Sequence, residues 1–169
     1  MILFRIAARR YEQSWREAFS GEGSFRAGGR WSSPGTRLVY ASSHLSLATL
    51  EVLVHCNRAS FLQSRLALRF ELPDGVIEQI PVDQLPEDWN SIPESVATQR
   101  IGDAWTASAA AAGLIVPSAV LPGGANLDEQ NVVLNPAYPG LLDLISNVSL
   151  TAFDFDRRIA GLAGERAAG

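Results

Sequence analysis

The chain has 169 residues, 47% hydrophobic and 19% charged, enough to bury most of the apolar surface of one domain without cross-links. Its net charge of -4 and pI of about 5.2 oppose tight binding to a nucleic-acid backbone, which depends on neutralising many phosphates, and so weigh against a nuclease. No apolar run reaches the ~18 residues of a membrane span, the N-terminus lacks the regions of a signal peptide, and the single cysteine, Cys56, has no internal partner; the expected setting is a reducing cytoplasm, with Cys56 a buried thiol.

Residues 1–7 read as a short strand and 11–19 as a modest helix, with Gly21, Glu22, Gly23 and Ser24 a loop after it. Then comes Gly28-Gly29-Arg30-Trp31-Ser32-Ser33-Pro34-Gly35, a set of turn devices that packing alone does not call for. Residues 36–40 are strand-like, and Ser42 or Ser43 is placed to cap a helix running to about residue 57. On helical spacing His44, Ala48, Glu51 and His55 share one face, and aliphatics cover the rest, the pattern of a largely buried helix.

Leu66, Leu68 and Phe70 alternate with Ala67, Arg69 and Glu71, the period of a half-buried strand. Pro73-Asp74-Gly75 leads into a short strand at 76–80, which suggests a β-hairpin. Residues 81–93, rich in Pro, Asp and Glu, read as a surface connection. Residues 98–112 form the clearest helix, with Gly113 suited to its C-terminal cap. The run at 114–120 is a strand that Pro117 places at an edge or bends. A loop through Gly123, Gly124, Ala125 and Asn126 leads to a strand at 131–135 ended by Pro136, and residues 153–157 are strand-like.

Two charged residues stand out. Arg30, flanked by glycines and tryptophan, suits paired hydrogen bonding to phosphate or carboxylate oxygens, or else serves as a turn residue in a surface ion pair. Glu51 lies among Leu50, Val52, Leu53 and Val54, and a carboxylate in such company needs a partner or a cavity: a structural ion pair, or stabilisation of positive charge in a transition state. Tyr40 is either core with a satisfied hydroxyl or a wall for a ring. Ser118 has no Gly-x-Ser-x-Gly elbow, so it reads as a hydrogen-bond donor rather than a nucleophile. Asn131 and Asn135 are strand-end caps or ligand contacts. His44, His55 and Glu51 depart from His-Glu-x-x-His spacing, so no metal site is expected.

Taken in order, residues 29–35 with 39–42, then 47–55, Gly102-Asp103-Ala104-Trp105, Pro117-Ser118 and 131–136 resemble the RES-domain family, the toxins of RES-Xre toxin-antitoxin systems. The resemblance spans residues 1–169 as one RES domain, with about the last ten residues frayed. It implies an α+β, ADP-ribosyltransferase-like fold: a mixed or antiparallel sheet flanked by helices. It implies action on NAD as substrate, without a metal, by hydrolysis or phosphorolysis of the nicotinamide-ribosyl bond. Arg30, Glu51 and Ser118 then fall on the catalytic positions, and Tyr40, Asn131, Arg30 and Ser118 on substrate-binding ones.

The implied partner is an Xre-type antitoxin with a helix-turn-helix, so that DNA binding belongs to the partner, and a toxin homodimer is expected within the complex. Two alternatives accompany this reading. One is transfer of ADP-ribose to a host protein. The other is a non-catalytic interaction domain in which Arg30 and Glu51 pair directly with each other.

Overall fold

The structure, a computed structural model, describes residues 1–55, 64–121, 128–156 and 158–159. The expectations for Cys56, the end of the helix near 57, the loop at 123–126, Arg157 and the frayed tail lie outside the described residues. Seven strands, β1 (Ile2–Ala8), β2 (Val39–Ser42), β3 (Arg65–Glu71), β4 (Ile77–Gln79), β5 (Gly113–Val116), β6 (Asn131–Leu134) and β7 (Ser146–Phe153), form one sheet of order β4-β5-β6-β2-β1-β3-β7. Every neighbouring pair is antiparallel except β4 and β5. Helices α1 (Glu22–Ala27), α2 (Leu45–His55), α3 (Val96–Ser108) and α4 (Leu141–Leu144) complete an α+β fold. No helix among the described residues is long and apolar enough to cross a membrane.

Alternation along the strands separates two faces of the sheet. One carries Leu3, Ala7, Val39, Ala41, Leu66, Leu68, Phe70, Val132 and Leu134, packed with Phe19, Leu141 and Ile145 into the main core. Phe19 meets Phe70 edge-on at 4.9 Å between ring centroids. Each leucine buried here contributes about 2 kcal/mol. The other face is divided. Ile6 packs with Ala48 of α2, whereas Leu114, Val116 and Val133 pack with Trp31, Leu38 and Trp105 of α3. Between these two apolar patches lie the polar residues Ser42 and Asn131.

Several elements depart from the sequence reading. Residues 11–19 form short 3-10 segments, Arg9–Tyr11 and Trp15–Phe19, rather than one helix, and Trp15 and Phe19 both pack against the main core. The expected loop at 21–24 opens α1: Gly21, at φ 68°, starts it, and the Ser24 hydroxyl ties it to the Leu38 carbonyl at 2.8 Å. The segment at 36–40 pairs only from Val39 on, opposite Leu134.

No β3-β4 hairpin forms. Asp74–Val76 is a 3-10 turn that carries the chain across to β5, and the free side of β3 is taken by β7. Neither β7, which begins well before residue 153, nor α4 is apparent in the sequence pattern. α3 ends on Ala109 in the left-handed conformation, and Gly113 instead opens β5, where a Cβ would meet Ile77, Leu72 and Val132 at 3.4 Å. β5 is not an edge; it stops before Pro117 and pairs on both sides. Finally, α2 buries only Leu47 and Ala48, because one face of it rests on β1 and β2, and Val54 remains exposed.

Candidate active site

The sheet brings three strand ends to one place. Ser42, the last residue of β2, stands opposite Asn131, the first of β6, and Asn131 stands opposite Val116, the last of β5. Pro117 stops β5 there, and Ser118 follows at once. After β2 the chain turns through Ser43 and His44 into α2, which folds back over β1 and β2 and carries Glu51 to the same strand ends. Neither serine caps the helix as expected. Their hydroxyls reach across the sheet, Ser42 to Asn131 Oδ1 at 2.7 Å and Ser43 to the Asp128 carbonyl at 2.8 Å.

Glu51 is the hub. Its Oε1 accepts from Ser118 Oγ at 2.8 Å and from Asn131 Nδ2. Ser118 and Asn131 are buried, whereas the Glu51 side chain keeps 23% of its surface open. Ser118 Oγ itself accepts from the backbone N–H groups of Val120 and Leu121, both at 3.1 Å, so its one proton goes to Glu51. Both neutral donors converge on Oε1. Oε2 faces outward, 3.9 Å from Nε2 of the exposed His55. The arrangement holds a carboxylate in a fixed orientation with one oxygen presented to solvent.

Arg30 takes no part in that cluster. Its Nη1 donates to the carbonyls of Trp89 at 2.7 Å and Ser91 at 3.0 Å, so it pins the 81–95 connection over the glycine turn. The direct Arg30-Glu51 pair required by the non-catalytic reading is not formed. Tyr40 points from β2 into the same turn: its hydroxyl accepts from Trp31 N at 3.1 Å and shares a hydrogen bond with Ser32 Oγ at 3.2 Å. Burial raises the Tyr40 hydroxyl above its ordinary value, so it remains a donor as well as an acceptor. Gly29 is required here, since a Cβ would lie 2.7 Å from that oxygen.

From the other side α3 holds the turn. Gln99 Nε2 donates to the Gly29 carbonyl at 3.1 Å, and Asp103 accepts from Ser33 N at 3.0 Å. Burial pushes the Asp103 carboxyl up, but hydrogen bonds from Ser33 and Thr36 outweigh it and leave the group below its usual range. Asn135 is a structural cap: it accepts from Ala137 N at 2.9 Å and donates to the Thr106 carbonyl at 2.9 Å.

The structure thus brings Glu51, Ser118 and Asn131 into one cluster and places Arg30 and Tyr40 at the adjoining turn. Sequence reasoning gave Ser42 only a helix-capping role and missed Gln99, for want of any local signal of their cross-chain partners. A shallow groove of about 350 Å³ bounded by Thr36, Asp103, Thr106 and Pro136 includes none of the five. Among the described residues no group of three or more His, Cys, Asp or Glu side chains could hold a metal ion.

A seven-stranded mixed sheet flanked by helices, with a carboxylate set at its central strand ends, defines an α+β protein. The profile of the RES domain matches residues 2–156, and the chain belongs to the RES-domain family. It is 37% identical over 159 residues to "Toxin Res" of Photorhabdus laumondii, covering 94% of this chain and 97% of that protein. It is 36% identical over 141 residues to a "Prs ADP-ribosylating toxin" of Sphingobium sp., covering 80% of this chain and 83% of the relative. The fold also matches a chain of the M. tuberculosis MbcT-MbcA toxin-antitoxin complex, with a TM-score of 0.66, 21% identity, and coverage of 99% of this chain and 89% of the other.

Proposed function

We propose that this protein is the toxin of a toxin-antitoxin pair and cleaves NAD at the nicotinamide-ribosyl bond. The observation that carries the reading is the Glu51 carboxylate, locked through Oε1 by Ser118 and Asn131 with Oε2 left open. As that bond breaks, the electron pair leaves with nicotinamide and the ribosyl carbon acquires oxocarbenium character, which an oriented and partly desolvated carboxylate stabilises. Water then gives ADP-ribose and a proton; phosphate gives the ribosyl phosphate. Arg30 meets the pyrophosphate through its remaining guanidinium nitrogens, since Nη1 is engaged by the 81–95 connection. Tyr40 and Ser118 hold the walls against which the substrate is placed.

The expected result is that purified protein freed of any antitoxin consumes NAD and releases nicotinamide, while Glu51→Gln retains the fold and loses most turnover. Intact NAD in the presence of folded wild-type protein sinks the reading. A second reading, transfer of ADP-ribose to a protein, is favoured by the name of the Sphingobium relative. NAD labelled in the adenylate separates the two: label on protein supports transfer, and label confined to small molecules supports hydrolysis or phosphorolysis. The partner on this reading is an Xre-type helix-turn-helix antitoxin that covers the cleft of a cytoplasmic toxin dimer. The toxin-antitoxin complex of the structural neighbour supports an antitoxin partner.

A further inference from the structure

Asn131 can hold Glu51 only if its side-chain amide faces one way. With Nδ2 toward Glu51 it donates; flipped, it would oppose its own carbonyl oxygen to a carboxylate oxygen. What selects the productive orientation lies on the neighbouring strand. Ser42 and Asn131 are directly opposed residues of β2 and β6, both buried, and Ser42 Oγ donates to Asn131 Oδ1 at 2.7 Å. The hydroxyl thus satisfies the one amide atom that must point away from Glu51. A buried carbonyl without that donor loses its reason to remain there.

We propose that Ser42 is a positioning residue: it fixes the Asn131 amide, which with Ser118 fixes Oε1 of Glu51 and so determines that Oε2 is the oxygen presented to substrate. The relay runs Ser42 to Asn131 to Glu51, with Ser118 closing it from the segment that follows β5, and Ser42 touches no substrate itself. This deepens the proposed reaction and rests on that reading for its kinetic consequence. Its structural claim concerns the Asn131 amide alone. Misplacement of a catalytic group lowers turnover far more than substrate binding, so the expected signature is in kcat.

The test compares Ser42→Thr with Ser42→Val, an almost isosteric pair that differs in the hydroxyl, and both β-branched residues suit a strand. Side-chain amide NMR of the full chain, with Asn131 assigned through Asn131→Asp, reads the relay directly. In wild type and Ser42→Thr one Asn131 amide proton is shifted downfield and exchanges slowly; in Ser42→Val and Ser42→Ala that signature is lost while the backbone spectrum stays folded. Ser42→Val lowers kcat for NAD by about 10- to 100-fold with little change in KM, and Ser42→Thr restores most of it.

A Val variant that keeps both the amide signature and the rate overturns the proposal, as does a Thr variant that fails as badly as Val, which would show packing to be the cause. If wild-type protein leaves NAD intact, the reaction reading fails, and the amide signature still decides whether Ser42 orients Asn131.

Discussion

Gly102 of α3 lies against the backbone of Trp31, so close that a Cβ at Gly102 would overlap the Trp31 carbonyl oxygen and come within 2.7 Å of its carbonyl carbon. Helix propensity favours Gly102→Ala by about 1 kcal/mol. Steric overlap with backbone, which has no rotamer to escape into, opposes it more strongly, and a net loss of about 2 kcal/mol is expected. A urea midpoint that rises in Gly102→Ala would show that α3 does not press on the turn.

Tyr40→Phe removes the oxygen that accepts from Trp31 N and meets Ser32 Oγ. The Trp31 N–H is then left without that acceptor, and the expected cost is about 1 to 2 kcal/mol in chemical denaturation. Because the Gly29 turn also carries Arg30, KM for NAD should rise more than kcat falls. Unchanged stability would mean that the hydroxyl finds no useful partner in solution.

Ser118 has its oxygen occupied by two backbone N–H groups and its proton by Glu51, so it should be inert toward serine-directed fluorophosphonates. Mass spectrometry of treated protein should show no adduct at Ser118. Ser118→Ala should reduce kcat by about 10- to 100-fold through the freed carboxylate. It should also destabilise the chain by about 1 to 3 kcal/mol, because the Val120 and Leu121 N–H groups lose their acceptor.

Asp103 supplies a pH-dependent term. Its folded-state carboxyl lies below its ordinary value, so it contributes stability above the unfolded value of about 3.9 and loses it as pH falls through the folded one. Asp103→Asn should therefore be less stable than wild type at neutral pH, by about 1 kcal/mol or less given solvent screening, and the gap should close in strong acid. Denaturation midpoints for both proteins between neutral pH and strong acid check it; a gap that widens in acid would reverse the sign.

Alternation made β3 legible, and the helical pattern with good formers made α3 legible, because in each the signal lies within neighbouring residues. What failed was pairing. The hairpin expected after Pro73 did not form because β4 finds a parallel partner in β5, a choice made by the packing of Val76 and Ile77 beneath the sheet and not by the turn. The same divide runs through the site. Glu51 was visible as a carboxylate among leucines and valines, and Asn131 as a polar residue opening an apolar strand. The bond between Asn131 and Ser42 was not visible, since it depends on the register of two strands far apart in the chain. Arg30 was legible as unusual, yet its grip on Trp89 and Ser91 is set by a connection with no regular pattern.

The distances along the chain between Glu51 and its partners impose an order in time. Ser118 and Asn131 follow Glu51 by 67 and 80 positions. At synthesis rates of about 5 to 20 residues per second, Asn131 is joined to the chain roughly 4 to 16 s after Glu51. Until then the carboxylate has neither of the donors that orient it, and β7, which closes the sheet against β3, is made later still. A half-made chain therefore carries Arg30, Tyr40 and Glu51 without a working site. On the proposed reading, turnover therefore waits until Asn131 has been made and β6 has paired with β2.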